Sequence, residues 1–169
     1  MFIAILQHTP AWVWGLLAVM STYGWSQTRE REMSLVRLSI VPLVLLALSA
    51  AGVLSAFGHA PMAVGGWGAG LAASLTIGRH AVAVRGAAWL ASRGTVRVPG
   101  SWLPMALMLA LFTLKYAVGV SLALQPALAH DAAFSGACSL AFGAASGLFL
   151  ARALALRGVA RGVAVPQPA

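Results

Sequence analysis

Acidic residues are nearly missing from this chain: Asp and Glu together number 3 among 169 residues, and charged residues of either sign make up only 8%. A soluble domain carries roughly a quarter of its residues charged, so too little charge is present to cover a solvated surface. A soluble enzyme, a disordered chain and a nucleic-acid-binding module are excluded together. Cysteine occurs once, as Cys138, and lysine once, as Lys115. A lone cysteine forms no disulfide within the chain and supplies no thiolate metal set. The four histidines, His8, His59, His80 and His130, fall at the ends of apolar runs or in turns. With no carboxylate or histidine in the middle of such a run, a proton relay and a bis-histidine haem are unsupported. The serines within the runs have no His or Asp at matching depth, so intramembrane hydrolysis lacks its base. The expectation is a protein that is not an enzyme and holds no cofactor and no metal.

What is abundant is apolar: 60% of the chain. Runs of about 20 apolar residues suit a bilayer core, and five segments qualify: residues 11–28, 38–57, 62–78, 103–124 and 132–156. The third is the weakest, being built largely of Gly, Ala and Ser. Charge placement argues for it. Arg29, Arg31 and Arg37 fall in the first connection, Arg79, Arg85, Arg93 and Arg97 in the third, and Arg152, Arg157 and Arg161 at the end. Five crossings put all ten arginines on one side and no basic residue in the opposite loops, whereas four crossings divide them. The expected fold is therefore an all-α integral membrane bundle of five transmembrane helices, amino terminus outside and carboxyl terminus cytoplasmic. Residues 1–162 form one domain and 163–169 a short flexible tail. The net charge of +8 is read as a topology signal, with membrane lipid and not nucleic acid as the partner.

Local chemistry fits these boundaries. Thr9 and Pro10 open the first span, Ser101, Trp102 and Pro104 the fourth. Trp12 and Trp14 mark one interface, Tyr23 and Trp25 the other. The short Gly58 to Pro61 turn predicts an antiparallel hairpin of spans two and three. Residues 79–100 alternate Arg with apolar residues and suit either an amphipathic piece on the inner leaflet or a solvated loop. Gln27 and the run Arg29-Glu30-Arg31-Glu32 suit a positive-inside anchor, with a lipid head-group clamp as the alternative. Gly66 and Gly70 on span three, and Ser139, Gly143 and Gly147 on span five, recur at four-residue spacing, which brings helices close in lipid. Packing within the chain is the first reading of these faces and a homodimer the second.

Lys115 lies twelve residues beyond Leu103, about 18 Å into a core about 30 Å thick. A charge at that depth costs about 3 kcal/mol or more and asks for a partner. Neither Glu30, Glu32 nor Asp131 suits it, and the neighbours expected at similar depth are Tyr116, Trp67 and Ser139. Together these four residues form the expected ligand site for a small anionic or amphiphilic molecule. The alternatives are a snorkelling lysine that only packs, or a small transporter or channel with Lys115 lining the pathway.

Several strings, among them Thr9-Pro10-Ala11-Trp12-Val13-Trp14, Gly100-Ser101-Trp102-Leu103-Pro104 and Phe112-Thr113-Leu114-Lys115-Tyr116, resemble a family of small bacterial inner-membrane proteins classed as a domain of unknown function. The resemblance implies a multi-pass protein of the bacterial cytoplasmic membrane and brings no activity. The functional expectation is ligand binding or service as an accessory membrane subunit.

Overall fold

A computed structural model describes residues 10–81 and 86–162. The chain forms five helices: α1 (Ala11–Ser26), α2 (Leu35–Phe57), α3 (Pro61–Ala81), α4 (Leu103–Leu124) and α5 (Ala132–Ala160). Each coincides with an expected span to within a few residues. Thr9 lies outside the described residues; Pro10 precedes α1 with φ −56° and ψ 142°. Ser34 starts α2, its Oγ accepting from Arg37 N at 3.3 Å, and Gly58 ends it at φ 63°. Asp131 starts α5 by accepting from Phe134 N at 2.6 Å. Such caps satisfy donors that the first helical turn leaves unpaired.

The connections correct the all-helical expectation. Strand β1 (Arg31–Ser34) from the first connection pairs antiparallel with β3 (Thr95–Val98) from the third, and β3 pairs with β2 (Ala88–Leu90), giving the order β1-β3-β2. The register sets Arg31 opposite Val98 and Ser34 opposite Thr95. Residues 88–98 are thus a hairpin with Gly94 at φ 62° in its turn, and not an interfacial helix. The deciding pattern is period two: Val96 and Val98 point inward and Arg97 outward. An interfacial helix leaves such a pattern without a single apolar face.

Helix directions follow from the contacts. Close approaches of Gly66 to Gly136, Gly70 to Leu140 and Ser74 to Gly147 advance together along both chains, so α3 and α5 run parallel. Leu38 packs with Leu156, Ser49 reaches Phe142 and Phe57 meets Phe134, so α2 runs antiparallel to α5. At the end of α1, Trp25 meets Trp102 edge-on at 5.7 Å and Gln27 O accepts from Ser101 N at 3.0 Å. The α2 to α3 turn is tight as expected, but α3 lies chiefly along α5 and not along α2, because glycine faces allow backbones to touch where α2 offers larger side chains.

Two apolar clusters mark the ends of the bundle. Met33, Leu38, Val96, Val98 and Leu156 pack beneath the sheet. Val53, Phe57, Ala63, Val118 and Phe142 pack toward the far end. Between them, large apolar residues face outward: Leu48 is 63% exposed and Val44 49%. Left in water, each forfeits about 1.5–3 kcal/mol of burial, which lipid restores. By length and composition α2, α4 and α5 suffice to cross a membrane.

Candidate functional site

Beneath the sheet, six elements converge on a cleft. From α1 come Tyr23 and Gln27, from β1 Arg31 and Met33, and from α2 Arg37, Leu38, Val41 and Pro42. Strand β3 adds Val98, α4 adds Pro104 and Met108, and α5 closes the cleft with Phe149, Arg152 and Leu156. Pro42 has no N–H, so the carbonyl of Leu38 loses its helical donor on this wall. The result is an apolar trough with three guanidiniums.

Gln27 anchors the polar side. It is only 7% exposed, its N–H donates to Gly24 O and its carbonyl accepts from Ser101. Its Oε1 accepts from Arg31 Nη2 at 2.6 Å, which fixes one guanidinium while leaving most of its five donors free. Burial holds Arg31 below its ordinary pKa, with Tyr23 opposing that shift and Arg37 adding to it. A guanidinium stays protonated throughout, so the shift reports a cation partly withdrawn from water beside a second cation.

All three acids of the chain are engaged elsewhere. Glu30 pairs with Arg97 at 3.2 Å and Glu32 with Arg93 at 3.1 Å, both at the exposed surface. Asp131 caps α5 at the other end. Arg31, Arg37 and Arg152 therefore form no ion pair among the described residues. Guanidinium forks match phosphate and carboxylate oxygens bidentately. Apart from the arginines, Tyr23 and Gln27 are the polar side chains of the lining, so the cleft is equipped to hold an anion. Among the described residues no three His, Cys, Asp or Glu side chains gather into a metal site; His8 lies outside those residues.

The four residues expected to bind ligand lie elsewhere and do not line this cleft. Lys115 is on an exposed face of α4, not within an enclosed cavity, and its Nζ passes close to Gly52, where an added Cβ stands 3.1 Å away. The neighbouring Tyr116 ring stacks with Phe112 at 6.4 Å. Trp67 Nε1 donates to Ser49 Oγ at 3.1 Å, and Ser49 Oγ donates to Phe142 O at 3.4 Å. Ser139 is 0% exposed in the α3–α5 seam and its Oγ has no hydrogen-bond partner among the described residues. Sequence reasoning gave Gln27 and Arg31 to a lipid head group only as the alternative to a topological anchor and left Arg37 and Arg152 to topology, although basic residues outnumber acids 11 to 3.

No curated protein and no solved structure matches the chain. One family does, along residues 1–167: with its model matching nearly every position, the chain belongs to the family of unknown function DUF6622.

Proposed function

We propose that this is a five-crossing protein of a bacterial cytoplasmic membrane, with the sheet on the cytoplasmic side, that binds an anionic amphiphile in the arginine cleft. The observation that carries the reading is the set of three guanidiniums without a carboxylate on an otherwise apolar trough. Depth supports it. Arg152 stands twenty residues beyond Ala132, about 30 Å along α5, which is the thickness of the hydrocarbon core. With Ala132 at the outer boundary, Arg152 reaches the inner head-group level, where basic residues attract acidic lipid. Val41, Pro42, Met108 and Phe149 continue the trough toward the acyl chains.

Parity supports the number of crossings. Because β1 pairs with β3, the chain between them crosses an even number of times. If α2 crosses, α3 returns. Leu156 packs against Val96 and Val98, so α4 and α5 likewise form a pair. The described arginines at the sheet end, among them Arg31, Arg37, Arg93, Arg97 and Arg152, then lie inside.

Native mass spectrometry of the purified protein tests the reading, with Lys115→Met and an Arg31→Gln/Arg152→Gln double variant beside the wild type. An anionic lipid or metabolite stays with the wild type and Lys115→Met, and is reduced at least about tenfold in the double variant, as loss of charge-assisted hydrogen bonds implies. The reverse pattern, loss only on Lys115→Met, moves the site to α4 and overturns the proposal.

A further inference from the structure

Resting on that reading, we infer that the cleft selects a compact dianionic head group, a terminal phosphate monoester on a hydrocarbon tail, over the phosphodiester of an ordinary acidic lipid. Three observations converge. The first is charge: Arg31, Arg37 and Arg152 present three positive charges with no acid among the lining residues. A phosphodiester neutralises one of them, whereas a monoester carries nearly two negative charges at neutral pH. Arg31 and Arg152 are partly withdrawn from water, where a cation gains most from a compensating anion, so the second charge is realised in binding.

The second observation is donor number. Gln27 occupies one donor of Arg31, and the remaining guanidinium donors face a trough with few acceptors. A terminal phosphate offers three strong acceptor oxygens, each able to take charge-assisted bonds from the forks. A diester commits one of those oxygens to a second carbon. The third is size. The cleft is an open trough with a volume of about 60 Å³, far below the several hundred cubic ångströms of a pocket that engulfs a metabolite. A bare phosphate matches that scale better than a head group bearing glycerol or sugar. The tail lies along Val41, Pro42, Met108 and Phe149.

This assignment has a pH signature. The groups facing the phosphate are Tyr23 and Gln27 from α1, Arg31 from β1, Arg37 from α2 and Arg152 from α5, while β3 and α4 contribute Val98, Pro104 and Met108. No carboxylate, histidine or cysteine is among them, and these are the side-chain types whose charge changes most readily between pH 5 and 8. The second phosphate proton leaves near pH 6, so affinity for a monoester rises with pH across that range and affinity for a diester stays level.

The test uses the full-length protein in phosphatidylcholine nanodiscs doped with equal fractions of phosphatidate, a monoester, or phosphatidylglycerol, a diester, with bound lipid counted by native mass spectrometry. Phosphatidate is retained at least about tenfold more at pH 8, the factor of one extra charge-assisted bond, and its advantage shrinks by pH 5. Arg152→Gln abolishes the preference and Arg161→Gln, outside the cleft, does not. Arg37→Gln, a change at the exposed mouth, halves or further lowers the preference and serves if Arg152→Gln fails to fold. Equal, arginine-dependent retention of both lipids overturns the monoester inference and leaves amphiphile binding standing. Retention of neither lipid in an arginine-dependent way overturns both. Displacement of phosphatidate by equimolar inorganic phosphate shows that the tail contributes nothing and overturns the inference in favour of a free anion.

Discussion

Gly143 stands where any side chain meets backbone: an added Cβ collides with the carbonyl of Trp67 and lies 3.0 Å from Leu71 N. Main-chain atoms of a packed helix cannot swing aside as a side chain does. Gly143→Val is therefore expected to cost about 2–3 kcal/mol, toward the upper end for overpacking. Thermal unfolding in detergent should fall by about 5–10 °C. Gly65 is the control, with nothing within 4 Å of its added Cβ; Gly65→Ala should leave the midpoint unchanged or raise it by the helix propensity of alanine, up to about 1 kcal/mol. An equal loss from both changes contradicts the close α3–α5 seam. These glycines were legible in the sequence because four-residue recurrence is a property of the helix itself. The place of Lys115 midway along α4 was legible, its direction was not. Depth is counted along one helix, whereas direction depends on which side of α4 meets neighbours, and α4 is apolar nearly all round. The arginine cleft was less legible still: Arg31, Arg37 and Arg152 come from three elements, and charge counting assigns each one a topological role that accounts for it without a ligand.

Among the elements, the small sheet carries the most information per residue. Thr95-Val96-Arg97-Val98 alternates as a strand does, yet its partner Arg31–Ser34 lies some sixty positions earlier and includes two charges that read as an anchor. Local patterning identifies a strand but not its mate. The pairing holds because Met33, Val96 and Val98 are buried against α2 and α5, while Glu32 accepts from Arg93 and Thr95 on the exposed side. Exposed pairs of this kind add about 0–1 kcal/mol, so the apolar face dominates. The register makes a direct prediction. In a Cys138→Ser background, Ser34→Cys with Thr95→Cys should form a disulfide under mild oxidation, seen as a reversible mobility shift on denaturing gels, since directly opposed strand residues bring Cβ atoms to about 4.5–5.5 Å. Ser34→Cys with Ser92→Cys, beyond the paired strand, should cross-link much less. Comparable cross-linking of both pairs means the register is wrong and the parity argument loses its basis.

At the scale of the whole molecule, α3 is the segment on which the architecture turns. Its composition alone leaves it ambiguous, since Gly, Ala and Ser supply little transfer free energy to lipid, and it falls outside the three helices apolar enough to cross unaided. Its neighbours compensate: glycine contacts bind it parallel to α5, and the sheet joins the connections on either side of the α2–α3 pair. A helix held by protein on one face needs less hydrophobicity of its own than a helix surrounded by lipid. The five crossings proposed above place His59 and Gln125 on one side and Arg93 and Arg161 on the other. Single cysteines at these positions, each in the Cys138→Ser background, should divide cleanly: in intact cells a membrane-impermeant maleimide labels His59→Cys and Gln125→Cys, and reaches Arg93→Cys and Arg161→Cys only after the membrane is opened. Labelling of His59→Cys and Arg93→Cys from the same side means that α3 does not cross. The arginines would then face both sides, and a cytoplasmic head-group cleft would lose the one-sided field that recruits its ligand, because an acidic leaflet attracts basic residues only within about a Debye length of its surface.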